Sequence, residues 1–415
     1  MRALIVSSEF PPGPGGIGNQ AHHLALSLHR LGWDLAVAAP QAYVTPEQAR
    51  AFNTQQPFPI ASLPSGRGRW VATLQRVRIA ERLAQSHRPD ILIGTGLSGV
   101  CVAAAVCTLR RLPGLAVAHG SEFGVGQAGT AGLKRPALLR VSNDALASRR
   151  GALAQRLVRR GFERMTAVVA VSQYTRRVLT RAGIRARRIE VIPNAADHQH
   201  FRVLPESDRR AFRQAAGFHG GPLLLTVGQV SERKGQEVVI RALPEILAQV
   251  PDTHYLMIGL PTLQASLTRL AQQLNVQHHL HFLGVVSDAD LVRWLNCADL
   301  FVMTSRTTRA GDCEGFGIAV VEAALCGKPA VVSAQSGLVE AIRENLTGLA
   351  VPENDERATA GAVVSLLSDT LLRKAMGNAA QILARHHQTW EASGAKYDAL
   401  LRSLTAAPVA SGIPA

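Results

Sequence analysis

GDCEGFGIAVVEAALCGKPAVVS, Gly311 to Ser333, is the stretch on which the fold turns. Just upstream, DLFVMTS from Asp299 reads as a strand running into a polar loop, and PAVVSA from Pro329 reads as the next strand. Between them Glu314 lies in the loop, Gly315 and Gly317 open a helix, and Glu322 follows eight residues after Glu314. Strand, loop, helix and strand in that order make the repeating unit of a parallel sheet with helical crossovers. A helix rises about 1.5 Å per residue, which sets the two carboxylates on the order of 12 Å apart. That separation suits a diphosphate with a sugar at one end and a ribose at the other. Each carboxylate would accept hydroxyl hydrogen bonds, and the N–H groups near Gly315, Phe316, Gly317 and Ile318 would face the diphosphate. The plainer reading makes Glu314 a dipole-favoured residue and Glu322 a solvated one. Glu322, however, stands inside AVVEAAL, where a carboxylate needs a partner.

The same alternation runs through the chain. In the first half ALIVSS near the N-terminus, DLAVAAP at Asp34, DILIGT at Asp90, LAVAHG at Leu115, AVVAVS at Ala167 and IEVIPN at Ile189 read as strands. A helix is expected from about Asn19 to Leu31. In the second half LLLTVGQ at Leu223, HYLMIGL at His254 and LHFLGVV at Leu280 precede the two strands already named. With 415 residues, two domains are the natural expectation. The reading is α/β, two Rossmann-like domains in tandem: 1–203, then 204–386, a last helix over 387–405, and a disordered tail over 406–415 rich in Pro, Gly and Ala. The most membrane-like run, Ile91 to Cys107, is short for a span and is broken by Gly94, Gly96 and Gly99, so strand, turn and buried helix explain it better.

FPPGPGGIGNQ, Phe10 to Gln20, matches G-x-G-x-x-G at Gly13, Gly15 and Gly18. A dinucleotide fingerprint should follow its strand directly and should find an acid at the end of the second strand. SSEFPP intervenes here, and the second strand ends in Ala39, Pro40 and Gln41. The dinucleotide reading fails. What remains is the turn Gly15-Gly16 entering a helix, either a plain turn or a place where N–H groups approach a phosphate or sugar.

VGQVSERKGQE, Val227 to Glu237, ends a strand at Gly228, carries Arg233 and Lys234 in a loop, and starts the next helix at Gly235. Such pairs are usually surface charge, but at the carboxyl edge of an open sheet two cations are placed to neutralise a leaving diphosphate. His119 alone would more often be a satisfied buried histidine, and only its place at the end of a central strand makes it a candidate. Asp288-Ala289-Asp290 resembles a metal-binding D-x-D, yet it follows Ser287 at a helix start, where capping explains it.

The net charge is +15, and 15 Lys or Arg between Lys134 and Arg188 face only Asp144 and Glu163. That stretch reads either as solvated helix faces or as a surface for an anionic partner such as lipid headgroups. No nucleic acid is expected, because no aromatic residues interleave the arginines. The five cysteines form no C-x-x-C pair or disulfide framework, and no secretory signal is visible, so a cytoplasmic location is expected.

Gly15-Gly16, His119 in VAHGSEF, Arg233-Lys234-Gly235 and the pair Glu314 and Glu322 together resemble glycosyltransferase family 4, with the motifs in order from about residue 3 to 400. HGSEFG and SRTTRAGDCEGFGI look most like the branch of phosphatidylinositol-mannoside mannosyltransferases. The resemblance implies the GT-B fold, two Rossmann-like domains facing a cleft with the last helix crossing back. It also implies retaining, metal-independent transfer of a hexose, mannose favoured, from a GDP- or UDP-linked sugar, with no other cofactor. The acceptor would be a hydroxyl, lipid-linked or on a glycan, and the place the inner face of the cell membrane. Glu314 would hold sugar hydroxyls, Glu322 the ribose, and Arg233 and Lys234 the diphosphate. Gly16 would approach the donor phosphate or acceptor, His119 the transferred sugar, and Phe316, Gly317 and Ile318 would line the phosphates. Ala195 stands in PNAAD where the family often has Gly. The alternatives are another GT-B enzyme, such as a nucleotide-sugar epimerase or a phosphorylase, and a non-catalytic module that binds anionic lipid or nucleic acid.

Overall fold

The computed structural model describes residues 1–406 except 14, 43, 65–68, 121, 123–148 and 310. The chain forms two compact units, Met1–Asn194 with Arg309–Gly311 and Trp390–Ala415, and Ala195–Thr308 with Asp312–Thr389.

The first unit begins β1 (Arg2–Ser7), α1 (Gly16–Arg30), β2 (Asp34–Ala39), α2 (Pro46–Thr54), β3 (Ile60–Ser62) and α3 (Arg69–His87). It continues β4 (Ile91–Thr95), α4 (Gly96–Arg110), β5 (Gly114–Ala118), α5 (Arg149–Glu163), β6 (Ala167–Ala170), α6 (Gln173–Arg181) and β7 (Ile189–Val191). Its seven strands are parallel in the order β3-β2-β1-β4-β5-β6-β7. Leu4, Ile5, Leu92, Ile93, Ala116 and Val117 are wholly buried, because a parallel sheet is covered on both faces and its strands can be apolar throughout. Strand order reverses between β1 and β4, whose ends meet at the pair Ser7 and Thr95. Loops leaving the two strands diverge there and open a crevice at their carboxyl ends.

The second unit repeats the plan. Its elements are α7 (Glu206–Ala215), β8 (Leu223–Val227), α8 (Gln236–Gln249), β9 (His254–Ile258), α9 (Gln264–Gln273), β10 (Leu280–Gly284) and α10 (Asp288–Cys297). After these come β11 (Leu300–Met303), α11 (Ile318–Leu325), β12 (Ala330–Ser333), β13 (Gly348–Val351), α12 (Glu356–Ser368) and α13 (Thr370–His387). The six parallel strands lie in the order β10-β9-β8-β11-β12-β13, so the switch point falls between β8 and β11.

The last helix, α14 (Trp390–Ala406), belongs to the first unit and lies against α1. Ser27 Oγ donates to the Trp390 carbonyl at 2.9 Å, and Trp33 Nε1 donates to Asp398 at 2.7 Å. Gly394 makes the approach feasible, since a Cβ there would stand 1.9 Å from Ser27 Oγ.

Several expectations need correction. α1 starts at Gly16 rather than near Asn19, and α11 starts at Ile318, leaving Gly315 and Gly317 outside it. The edge strands β3 and β13 were not foreseen. β3 is three residues long and only partly buried, too short to show a pattern. Ile91 to Cys107 is β4 followed by α4, and no helix among the described residues is long and apolar enough to cross a membrane. Of the expected disordered tail, 406–415, Ala406 is the last residue of α14, and the rest, like 134–148 of the basic stretch, lies outside the described residues.

Candidate functional site

In the second unit β8 gives way to Gly228, whose N–H donates to the Ile258 carbonyl at 2.8 Å. Gly228 has φ 139°, and a Cβ on it would stand 2.9 Å from Lys234 Cε. The bare backbone therefore lets the lysine stem lie over the strand end. Arg233 and Lys234 sit in a 3-10 turn, Glu232–Lys234, rather than an open loop. Gly235 closes that turn with φ 70° and caps α8, which begins one residue later. Arg306 anchors the turn from β11's loop: its N–H donates to the Arg233 carbonyl at 2.8 Å and its Nε to the Glu232 carbonyl at 3.0 Å.

Gly235 also presses on the end of β11. A Cβ there would lie 1.9 Å from the Thr304 carbonyl oxygen, and Thr304 Oγ1 donates to the Gly235 carbonyl at 2.8 Å. Gly235→Ala therefore faces both a left-handed φ and a backbone clash, and is expected to cost at least about 1 kcal/mol. Chemical denaturation reads this directly. A variant as stable as the parent would show that the turn is not held where the structure puts it.

Across the switch point Glu314 meets both cations. Lys234 Nζ stands 2.8 Å from Glu314 Oε2, and an Arg233 guanidinium N–H bonds the same oxygen. Burial alone would raise the Glu314 carboxyl, but Arg233 and Lys234 outweigh it and hold it at about 2. Burial lowers the Lys234 amine from its usual value against the pull of Glu314. The loop from Glu314 to Gly317 is pinned by a later segment. Gly337 N–H donates to the Glu314 carbonyl at 2.8 Å, and a Cβ on Gly337 would meet the Gly315 oxygen at 1.9 Å. Phe316 is buried, and Gly317 caps α11 with φ 90°, Leu338 filling the space its Cβ would need. Because Glu314 stands in a loop, the rise of a helix does not set its distance from Glu322.

Glu322 lies within α11, and no side-chain hydrogen bond reaches it among the described residues. Burial, with Asp288 adding to it and Lys234 opposing, pushes its carboxyl up to about 7. The partner that AVVEAAL called for is not supplied by the described part of the chain. Asp288 and Asp290 themselves open α10: Ser287 Oγ accepts the Asp290 N–H at 3.1 Å and Arg293 bonds Asp290 at 3.1 Å. Among the described residues no cluster of three or more His, Cys, Asp or Glu is arranged to hold a metal.

In the first unit the helix start read as a phosphate seat already has a carboxyl group on it. Glu9 Oε1 accepts the N–H groups of Ile17 at 3.0 Å and Gly18 at 3.1 Å. A Cβ on Gly15 would stand 2.3 Å from that oxygen, whereas Gly16 has open space around it. Glu9 escaped the sequence reading, although an acid between the first strand and the glycines was visible in SSEFPP. His119 follows β5 and is buried, with Nε2 2.8 Å from Thr95 Oγ1. Burial lowers its imidazole to about 4. Glu122, also missed, grips the His119 N–H with both oxygens at 2.9 and 3.0 Å, and burial raises its carboxyl to about 7. The structure thus gathers Arg233, Lys234 and Glu314 with Gly228 beneath them, and places Gly15, Gly16 and His119 at the equivalent edge of the other sheet.

Two family models match the chain: Glycosyltransferase Family 4 over residues 14–200 and Glycosyl transferases group 1 over residues 208–382. The chain is 29% identical over 404 residues to the GDP-mannose-dependent alpha-(1-6)-phosphatidylinositol monomannoside mannosyltransferase of Mycolicibacterium smegmatis, covering 96% of this chain and 97% of that one. It is 25% identical over 410 residues to the GDP-mannose-dependent monoacylated alpha-(1-6)-phosphatidylinositol monomannoside mannosyltransferase of Corynebacterium glutamicum, covering 97% and 98%. In fold it is similar to Anabaena Alr3699/HepE in complex with UDP and glucose, with a TM-score of 0.77, 21% identity, and coverage of 97% and 100%.

Proposed function

We propose that this protein, which belongs to glycosyltransferase family 4 and is a nucleotide-sugar-dependent glycosyltransferase, transfers mannose from GDP-mannose to a hydroxyl of a lipid-linked acceptor, with retention at the anomeric carbon. The observation that carries the reading is the convergence of Arg233 and Lys234, after β8, on Glu314, after β11. Positive charge at the carboxyl edge of an open sheet meets the growing charge of a departing diphosphate, so the two cations stabilise the transition state more than the ground state. They also supply the charge a metal would bring, and we read the reaction as metal-independent.

Glu314, held near 2, stays ionised across the physiological range and is suited to accept hydrogen bonds from sugar hydroxyls. A carboxylate bonded by two cations is a poor nucleophile and a poor base. Retention then follows a same-face course. The C1–phosphate bond breaks, the acceptor oxygen bonds C1 from the side just vacated, and its proton passes to the leaving phosphate oxygen. Glu322 is assigned to the ribose, and the backbone of Gly228 and of Gly315, Phe316, Gly317 and Ile318 to the phosphates. Gly15, Gly16 and His119 are assigned to the acceptor and the transferred sugar.

The choice of mannose and of a lipid-linked acceptor is supported by the full-length relatives, each of which uses GDP-mannose and acts on a phosphatidylinositol monomannoside. A helix face rich in exposed arginines supports a lipid-linked acceptor as well. On α6 Thr175 and Leu179 face inward while Arg176, Arg177 and Arg181 are exposed. Peripheral attachment at the cytoplasmic face of a membrane is the corresponding location.

Thermal unfolding with GDP, UDP or ADP, each with EDTA and with magnesium, tests the donor site. A ligand at about 100 times its dissociation constant adds roughly 2.7 kcal/mol to a folded state that alone binds it. GDP is expected to raise the midpoint most, equally in EDTA. A shift with UDP alone would replace GDP-mannose, and a shift that needs magnesium would overturn the metal-independent mechanism.

A further inference from the structure

His119 does not end a chain of contacts; it begins one. Thr95 Oγ1, 2.8 Å from His119 Nε2, donates to Gln20 Oε1 at 3.1 Å. Gln20 lies on α1, wholly buried, and Tyr397 on α14 is buried near it without closing a hydrogen bond to the Gln20 amide nitrogen. All four side chains belong to one unit, at the carboxyl ends of β4 and β5 and on α1 and α14, which pack against each other. A hydroxyl has a single hydrogen, and Thr95 commits it to Gln20. Its oxygen can then only accept from the imidazole, so the proton of a neutral ring must sit on Nε2. That leaves the lone pair of Nδ1 as the ring's remaining polar group.

We infer that Thr95 and Gln20 are positioning residues that hold His119 as the Nε2–H tautomer, so that Nδ1 accepts a hydrogen bond from a hydroxyl of the transferred sugar. The last step rests on the assignment of His119 to that sugar; the tautomer does not. The ring's burial, which favours the neutral form, agrees with this, and Glu122 fixes the backbone of the same residue. A ring held at Nε2, on a backbone that Glu122 fixes, is aimed before substrate arrives, as preorganised catalysis requires. A site built to accept a hydroxyl also rejects a sugar that lacks it, because the pairing is then lost in a buried place.

The test is nitrogen NMR on the full-length chain labelled at histidine, at neutral pH and without ligand. His119 is expected to show a pyridine-type Nδ1 and a pyrrole-type Nε2. The reverse pattern, or a cationic ring, overturns the inference whatever the protein transfers. In Thr95→Val the ring loses its acceptor; mixed tautomers are expected, with kcat for mannosyl transfer down roughly ten- to a hundredfold and the GDP-mannose KM little changed. Thr95→Ser, which keeps the hydroxyl, should restore both the spectrum and the rate. A Thr95→Val enzyme with parental kcat and an unchanged ring would also overturn it. An Nε2–H ring in a wild-type chain that transfers no mannose supports the positioning role and overturns the donor reading instead.

Discussion

Lys234→Ala is expected to lower kcat with GDP-mannose about a thousandfold, the upper end of what one removed electrostatic donor costs. The size follows from where the amine sits. It lies over the bare backbone of Gly228, 2.8 Å from Glu314, among groups that exclude most water. A charge in such a place needs no reorganisation when the diphosphate departs, and little solvent screens it. GDP binding should weaken far less, because Arg233 remains and a product diphosphate gains from the site only part of what the transition state gains. Lys234→Arg is not expected to rescue, since the slot above Gly228 already brings Lys234 Cε within 2.9 Å of where a Cβ would stand. A planar guanidinium needs more room and different angles. Steady-state kinetics decide the matter: a Lys234→Ala enzyme within tenfold of the parent kcat would move the leaving-group role elsewhere.

The sequence announced the polar residues at the strand ends but not what they do to one another. Arg233, Lys234 and Glu314 were each readable as ligand groups, because strand and loop boundaries are local. That Glu314 bonds both cations depends on the pairing of β8 with β11, and no local signal carries that. The start of α11 shows the same limit. Gly315 and Gly317 look like helix openers, yet Gly337 and Leu338 press on them from a later turn and delay the helix to Ile318. In the first unit the open helix start proposed at Gly15-Gly16 is capped by Glu9, a contact made by a side chain whose direction the spacing could not give. Glycines marked where backbone approaches closely; they did not say what approaches.

Glu322→Gln should raise stability at alkaline pH while weakening nucleotide binding. The Glu322 carboxyl is raised from 4.5 to about 7 by burial first and by Asp288 second. A group whose proton is held more tightly in the folded state stabilises it least once that proton is gone. Below 4.5 the carboxyl is neutral in both states and costs nothing; the cost grows as pH rises from 4.5 to about 7 and is complete above it. Allowing for water at a side chain that is not fully enclosed, the cost above about pH 8 is about 1–3 kcal/mol. Glutamine keeps the shape and removes the charge. Its denaturation midpoint should exceed the parent's at high pH and converge on it in acid. Parallel curves at all pH values would mean that Glu322 has a partner in the folded chain and is not waiting for one. The same substitution should weaken GDP about tenfold, since a charged acceptor bonds hydroxyls about twice as strongly as a neutral one. A half-buried carboxylate that costs stability and gains its partner only when a ribose arrives is what the exchange of stability for binding predicts at a functional site.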